Sequence, residues 1–188
     1  MSKPVVVIDP GHGGKDPGAV AGGIKEKDVN IYIASVMKGM FHLVSTGVDV
    51  LLTRQNDEYV TLVNRVGQAK SSSALLFISV HCNAGGGTGF ETYTGEAKSV
   101  MSSTIQSEVH RRISDVLRKY GIRDRGMKKG DFYVINRFVP SILIEFGFLD
   151  NYKDMMYLAN ACAIAEMCQA IAMACIDTLF GYKRNDNR

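Results

Sequence analysis

A chain of 188 residues, 46% hydrophobic and 22% charged, has the length and balance of one globular domain and excludes a disordered or fibrous class. A formal charge of +3 and a pI near 8.6 suit contact with an anionic polymer but are too weak for a nucleic-acid binder. The four cysteines, Cys82, Cys162, Cys168 and Cys175, contain no CxxC pair and three share one apparent helix, which argues against a disulfide framework and for reduced core residues.

Val5-Val6-Val7-Ile8 is a continuous β-branched run, the pattern of a strand buried on both faces. A glycine-rich loop over 10–24 follows. Val29, Ile33, Val36, Met37 and Met40 recur at helical spacing and predict a helix, after which residues 48–53 predict a second strand. Leu62, Val63, Val66 and Ala69 mark a short helix. Residues 75–80 read as a buried strand ending at His81, and Gly85-Gly86-Gly87 leads to another over 90–93. A long helix then turns Ile105, Val109, Ile113, Val116 and Leu117 inward and stops near Gly121. Residues 132–135 and 142–146 predict strands. The last helix buries Ile164, Cys168, Ile171, Cys175 and Leu179, with Met155, Met156 and Cys162 as further core fillers, and 183–188 form a frayed tail.

Strands alternating with helices predict an α/β fold: one domain over 1–182, with a twisted, mainly parallel but mixed sheet flanked by helices on both faces. The most apolar segment, 161–180, is interrupted by Glu166, Gln169 and Asp177, so no membrane span is expected. The N-terminus lacks the apolar stretch and cleavage site of a secretory signal, which predicts synthesis in the cytoplasm.

In sheets of this kind sites gather beyond the carboxyl ends of the strands, where His12, His81 and Glu145 fall. His12, within Asp9-Pro10-Gly11-His12-Gly13-Gly14, is either a plain loop histidine or an imidazole presented by a tight turn. A phosphate-cradling loop is disfavoured, because Gly14-Lys15 is followed by Asp16 rather than Ser or Thr. His81 at the end of an apolar strand is either a ligand or a hydrogen-bonded core residue. Glu145, in Ile142-Leu143-Ile144-Glu145-Phe146, would cost several kcal/mol to bury unless paired, metal-linked or neutralised. Burial would lift its pKa toward neutrality, as a general base requires. Glu26 opens the first helix, where an acid complements the helix dipole without further purpose.

As an ordered set these segments resemble a known family. Asp9-Pro10-Gly11-His12-Gly13-Gly14, Glu26-Lys27-Asp28-Val29-Asn30, Ser79-Val80-His81-Cys82-Asn83-Ala84 and Ile144-Glu145-Phe146-Gly147-Phe148-Leu149 are similar to the four signature blocks of the zinc-dependent N-acetylmuramoyl-L-alanine amidases, amidase type 3. Lesser matches are Thr53-Arg54 with Asp57, Leu62 with Arg65, Gly89-Phe90-Glu91-Thr92-Tyr93, and Arg125-Gly126-Met127. The resemblance implies the fold shared with zinc exopeptidases and phosphorylases, and one zinc ion held by His12, Glu26 and His81 with an open position for water. It implies Glu145 as the catalytic base and peptidoglycan as substrate, cut between muramic acid and L-alanine. Cys82 stands where the family commonly has alanine; strand alternation points it away from His81, as packing.

Asn83, Arg54 and Arg65 are weaker candidates for touching substrate or orienting a ligand, and the arginines have the alternative of tying loops together. Arg111, Arg112, Arg118, Lys119, Arg123, Arg125, Lys128 and Lys129 form either a solvated surface or a patch for anionic wall polymers or stem-peptide carboxylates. With no wall-binding module apparent, the expected role is a phage or prophage endolysin that reaches the wall after release. Alternatives are a host enzyme of wall turnover or sporulation, a zinc exopeptidase on free peptides, and a non-catalytic wall binder; the last would require a lost ligand or base. No nucleic-acid or membrane partner is expected, and the sequence carries no signal for oligomeric state.

Overall fold

The computed structural model describes residues 3–96, 99–138 and 140–181; the expected tail over 183–188 lies outside them. Strand β1 (Val5–Pro10) leads through a two-stranded hairpin, β2 (Val20–Ala21) and β3 (Ile24–Lys25), into helix α1 (Glu26–Val44). Next come β4 (Asp49–Leu52), α2 (Leu62–Ser71), β5 (Leu76–Asn83), β6 (Phe90–Thr94) and α3 (Val100–Lys119). The chain continues through β7 (Asp124–Lys129), α4 (Tyr133–Arg137), β8 (Ser141–Phe148), α5 (Tyr152–Leu158) and α6 (Ala161–Phe180).

Among the described residues one six-stranded sheet has the order β4-β1-β5-β8-β6-β7. All neighbours are parallel except β6 and β8, so the sheet is mixed and mostly parallel. Strand alternation sorts side chains between two unequal layers. Val6, Ile8, Leu76, Ile78, Val80, Cys82, Ile142, Ile144 and Phe146 enter the larger core, with residues of α1, α3 and α6. Val7, Phe77 and Leu143 face the other way, into a small cluster with Val66 and Ala69 of α2 and Val134 and Ile135 of α4. On this thinner side the helices have only ten and five residues. The same sheet face also carries Ser79, His81, Asn83, Glu91, Tyr93 and Glu145.

Several expectations change. Residues 133–135 belong to α4, with Phe132 as its extended cap, rather than to a strand: Val134 and Ile135 are buried, but against the small cluster, from a helix. The sixth strand is β7, read from sequence only as basic loop. An edge strand of charged residues with one neighbour lacks the alternation that marks a half-buried strand. Strand β5 runs two residues past His81, to Asn83, instead of ending at it. Leu62 and Val63 of α2 are exposed, as are Met156 and Cys162. α6 is long and apolar enough to cross a bilayer by length and composition, despite its three polar residues. It packs against α1 and α3, burying Ile164, Met167, Cys168, Ile171 and Cys175.

The two classes of cysteine predict a contrast. Cys175→Ser should cost about 1–3 kcal/mol by placing a hydroxyl in apolar surroundings, whereas Cys162→Ser should stay within about 0.5 kcal/mol of wild type. Urea denaturation of both variants checks this, and equal midpoints would contradict the assigned burial.

Candidate metal centre and its neighbouring carboxylates

The site assembles where β1, β5 and the start of α1 converge. After β1 the chain turns with His12 at φ 61, a left-handed backbone unusual for a residue other than glycine. Two glycines make this approach possible. A Cβ on Gly11 would stand 2.2 Å from the His81 ring, and one on Gly18 would stand 2.5 Å from Glu26 Oε2 and 2.7 Å from His12 Cδ2.

Buried arginines hold the turn from behind. Arg65 donates to the carbonyls of Pro10 and His12, both at 2.7 Å, and pairs with Asp9 at 2.7 Å. Arg54 donates to Pro10 and Gly11 at 3.0 Å and to Lys27 at 2.7 Å. Lys27 reaches the Gly14 carbonyl and Asp57, whose other oxygen accepts from the Gly14 amide. The structure thus gives Arg54 and Arg65 the loop-tying role left open in the sequence, although Arg65 also lines the adjoining cleft.

Glu26 is buried at the first turn of α1 and accepts on both oxygens. Oε1 meets His81 Nδ1 at 2.9 Å, the Cys82 amide at 3.1 Å and Asn30 Nδ2 at 3.1 Å. Oε2 meets His12 Nε2 at 3.1 Å and the Ala19 amide at 2.9 Å. His12 Nδ1 lies 2.9 Å from Asp16. The two imidazoles stand edge to face, 5.0 Å between centroids, and one ligand atom from each of His12, Glu26 and His81 lies within 4.8 Å of the others.

Burial alone would raise the Glu26 pKa, but hydrogen bonds from His12 and His81 hold it well below the usual carboxylate range. Burial alone would lower the pKa of His12, but Glu26 and then Asp16 outweigh it and raise it to about 9. His81 is also raised: burial opposes this, while Glu26 and the charge of Glu145 drive it. Two imidazoles and a carboxylate, with Asp16 supporting His12 and Asn30 supporting Glu26, are a donor set for a borderline divalent ion such as zinc, and the glycines at 11 and 18 let these donors approach one another closely enough to share one.

Glu145 lies on β8 directly opposite His81 on β5 and Glu91 on β6, so the three side chains share one face. Its Oε2 is buried with no hydrogen-bond partner among the described residues. Burial pushes its pKa up to about 7, with Glu26 and Glu91 adding to the shift and His81 opposing it. Immediately beyond, His81 to Asn83 on β5 span Glu145 to Phe148 on β8, a bulge that ends regular pairing beside the site. Asn83 donates to Glu91 at 3.3 Å and Cys82 lies in the larger core. A cleft of about 290 Å³ adjoins the two histidines, lined also by Asp16, Tyr59, Leu62 and Val134.

The sequence reading missed Asp16, Asn30 and Glu91. Asp16 follows His12 by four residues within one loop, a separation with no fixed meaning outside a helix. Glu91 did carry a signal, being an acid inside Phe90-Glu91-Thr92-Tyr93, the pattern that singled out Glu145. If Asp16 orients His12 for a metal, Asp16→Ala should weaken Zn²⁺ affinity about 10–100-fold with an unchanged fold. Chelator competition with circular dichroism measures both, and wild-type affinity would remove Asp16 from the site.

Comparison with known proteins agrees with this arrangement. Residues 6–177 match the family described as N-acetylmuramoyl-L-alanine amidase. The chain is 35% identical over 183 residues to the sporulation-specific N-acetylmuramoyl-L-alanine amidase of Bacillus subtilis (strain 168), covering 97% of this chain and 70% of that protein. It is 45% identical over 163 residues to the endolysin of Bacillus phage SPP1, covering 84% and 59%. These two relatives are thus longer than the region they share with this chain. Among solved structures, the N-acetylmuramoyl-L-alanine amidase from Clostridium difficile 630 superposes with a TM-score of 0.89 at 29% identity, covering 98% of this chain and all of that one. The catalytic domain of the amidase CwlV from Bacillus (Paenibacillus) polymyxa var. colistinus gives 0.85 at 32% identity, covering 94% and 98%. With nearly the whole domain matched in sequence and in fold, this chain belongs to the N-acetylmuramoyl-L-alanine amidase family.

Proposed function

We propose that this chain, through its domain over 1–182, is a zinc hydrolase that cleaves the amide joining the lactyl group of N-acetylmuramic acid to the L-alanine of the stem peptide. In this reading His12, Glu26 and His81 hold one zinc ion and Glu145 is the general base. The observation that carries it is the buried, unpartnered Glu145 Oε2 on the same sheet face as His81. A structural ion pair would have satisfied that oxygen; a proton acceptor for a substrate water needs it free.

When bound, the ion polarises the scissile carbonyl and makes water more acidic. The chain supplies the rest. Glu145 takes a proton from the attacking water and returns it to the departing L-alanine nitrogen, which leaves as an amine. Asp16 and Asn30 fix His12 and Glu26 in position, and the Arg54–Arg65 clamp keeps the His12 turn from relaxing. The exopeptidase reading loses its footing to family membership.

For the biological role we favour lysis as a phage or prophage endolysin made in the cytoplasm, supported by 45% identity to the SPP1 endolysin. A host role in sporulation or wall turnover has its own support in the sporulation-specific relative, which aligns with 97% of the chain.

Digestion of purified sacculi followed by mass spectrometry tests the chemistry. Wild type should release stem peptides with a free L-alanine amine, and Glu145→Gln should do so about 10²–10⁴-fold more slowly with equal zinc content. Intact sacculi with zinc-loaded wild type would refute the reading. The base form of Glu145 is the ionised one and its pKa is about 7 without metal. Activity should therefore fall as pH drops; a nearby cation stabilises the carboxylate and moves that limb below 7. An acidic limb of the kcat/KM profile that persists unchanged in Glu145→Gln would exclude Glu145 as the base.

A further inference from the structure

Folding divides the basic residues into two groups with different surroundings. On α3, Arg111, Arg112, Arg118 and Lys119 each meet a carboxylate, from Glu108, Asp115, Asp177 or Glu166. On β7, Arg125 and Lys128 share one acid, Glu91. Arg125 Nε donates to Glu91 Oε2 at 2.8 Å and Lys128 Nζ contacts the same oxygen. Tyr93 Oη and Asn83 Nδ2 donate to Oε1 at 3.0 and 3.3 Å. Burial alone would raise the Glu91 pKa, but these partners lower it, so Glu91 is ionised at neutral pH. Two cations against one anion leave a net positive charge, and the terminal amino groups of Arg125 have no partner among the described residues.

A bulge aims both cations at one place. Phe90 pairs with Asp124 and Thr92 with Met127, so β7 carries one extra residue, and Gly126 has φ 88. In a regular strand residues three apart would point to opposite faces; the extra residue brings Arg125 and Lys128 to the same side. Arg125 lies 4.9 Å above the Phe148 ring and Lys128 5.7 Å from the Tyr93 ring. Their side chains keep 27% and 37% of their surface exposed, enough to meet a ligand.

The pair extends the row formed by His81, Glu145 and Glu91. With strands about 4.8 Å apart, β7 is roughly 10 Å from β8, which carries Glu145, and both side chains lean back toward Glu91 on β6. An extended peptide advances about 3.3–3.6 Å per residue, so these cations fall two or three residues along a peptide whose first amide lies at Glu145. The substrate's charge selects the same half. The muramoyl lactyl carboxyl is consumed in the amide, whereas stem-peptide residues can carry free carboxylates.

Building on the amidase reading, we propose that Arg125 and Lys128, held by Glu91, bind a free carboxylate of the stem peptide two or three residues beyond the scissile amide. They thereby make the enzyme prefer acidic stems to amidated ones. Glu91 positions the cations and leaves their outer faces to the substrate.

The test offers zinc-loaded enzyme two muramoyl-tripeptides, one with the carboxylates of the second and third residues free and one with both amidated. Wild type should favour the free acid about tenfold in kcat/KM, as expected for a charge-assisted hydrogen bond at a partly exposed site. The difference should lie in KM and shrink with added salt. Arg125→Gln and Lys128→Gln should each bring the ratio toward one, and Lys128→Arg should restore it. Arg125→Gln also removes an anchor of Glu91, so if it does not fold, Lys128→Gln, which keeps the Arg125–Glu91 pair, decides. Equal use of both peptides by wild type, or an undiminished ratio in the folded Gln variants, overturns the inference while leaving the amidase reading intact. Cleavage of neither peptide by wild type overturns both.

Discussion

Glu26 meets groups from four separate stretches of chain: His12 after β1, Ala19 before the hairpin, Asn30 one turn along α1, and His81 with the Cys82 amide on β5. A carboxylate this buried is tolerated only because each oxygen has charged or polar donors around it. That requirement ties the beginning of α1 to the ends of two strands. It explains why so much polar side chain is buried nearby, with Asn30, Arg54, Arg65 and Asp9 all below 3% exposure or close to it. These residues hold backbone carbonyls and the carboxylate rather than offering themselves to solvent. The cluster of His12, Glu26 and His81 is consequently held in place by hydrogen bonds from the chain itself.

The unequal layers of the sheet make room for this. One face is covered by three long helices and holds the larger core; the other has two short ones. The thick layer contributes the burial that stabilises the fold, and the thin layer leaves the ends of β5, β8 and β6 available for polar groups. Glu145 exploits the second feature at a cost: its unpartnered oxygen is destabilising when ionised, which is common where a group is poised for chemistry. Its neighbours to either side differ in sign, His81 toward the metal ligands and Glu91 toward the cations of β7. The row thus grades from an imidazole, through a buried unpartnered carboxylate, to a carboxylate paired with cations.

Charge distribution follows the same division. The +3 formal charge is too small to define a field over the whole surface, and the arginines of α3 are largely neutralised by acids on α3 and α6. What remains of functional interest is local, at the edge strand β7. There the charged side chains also keep an exposed sheet edge from pairing with another chain.

The sequence alone determined the α/β class, the buried strands β1, β5 and β8, the long helices, and the grouping of His12, His81, Glu145 and Glu26 through an ordered set of motifs. Local periodicity encodes the elements, through β-branched runs and apolar residues at helical spacing, and marks Glu145 as an acid among apolar residues; the grouping of the four site residues came from the resemblance of their motifs to a family. Tertiary structure decided the rest. Residues 133–135 have strand-forming side chains yet lie in α4, where Val134 and Ile135 enter the smaller cluster from a helix, and the edge of the sheet is β7. That strand in turn was hidden because an edge needs no apolar alternation. Asp16 and Asn30 became recognisable only in place, and Glu91, marked in the sequence as an acid among strand-forming residues, took its meaning from Lys128, 37 residues away. Likewise Arg54 and Arg65 could have been substrate groups or loop anchors until burial showed where their donors point. A chain encodes which side chains are available; only packing decides which charges end up facing one another.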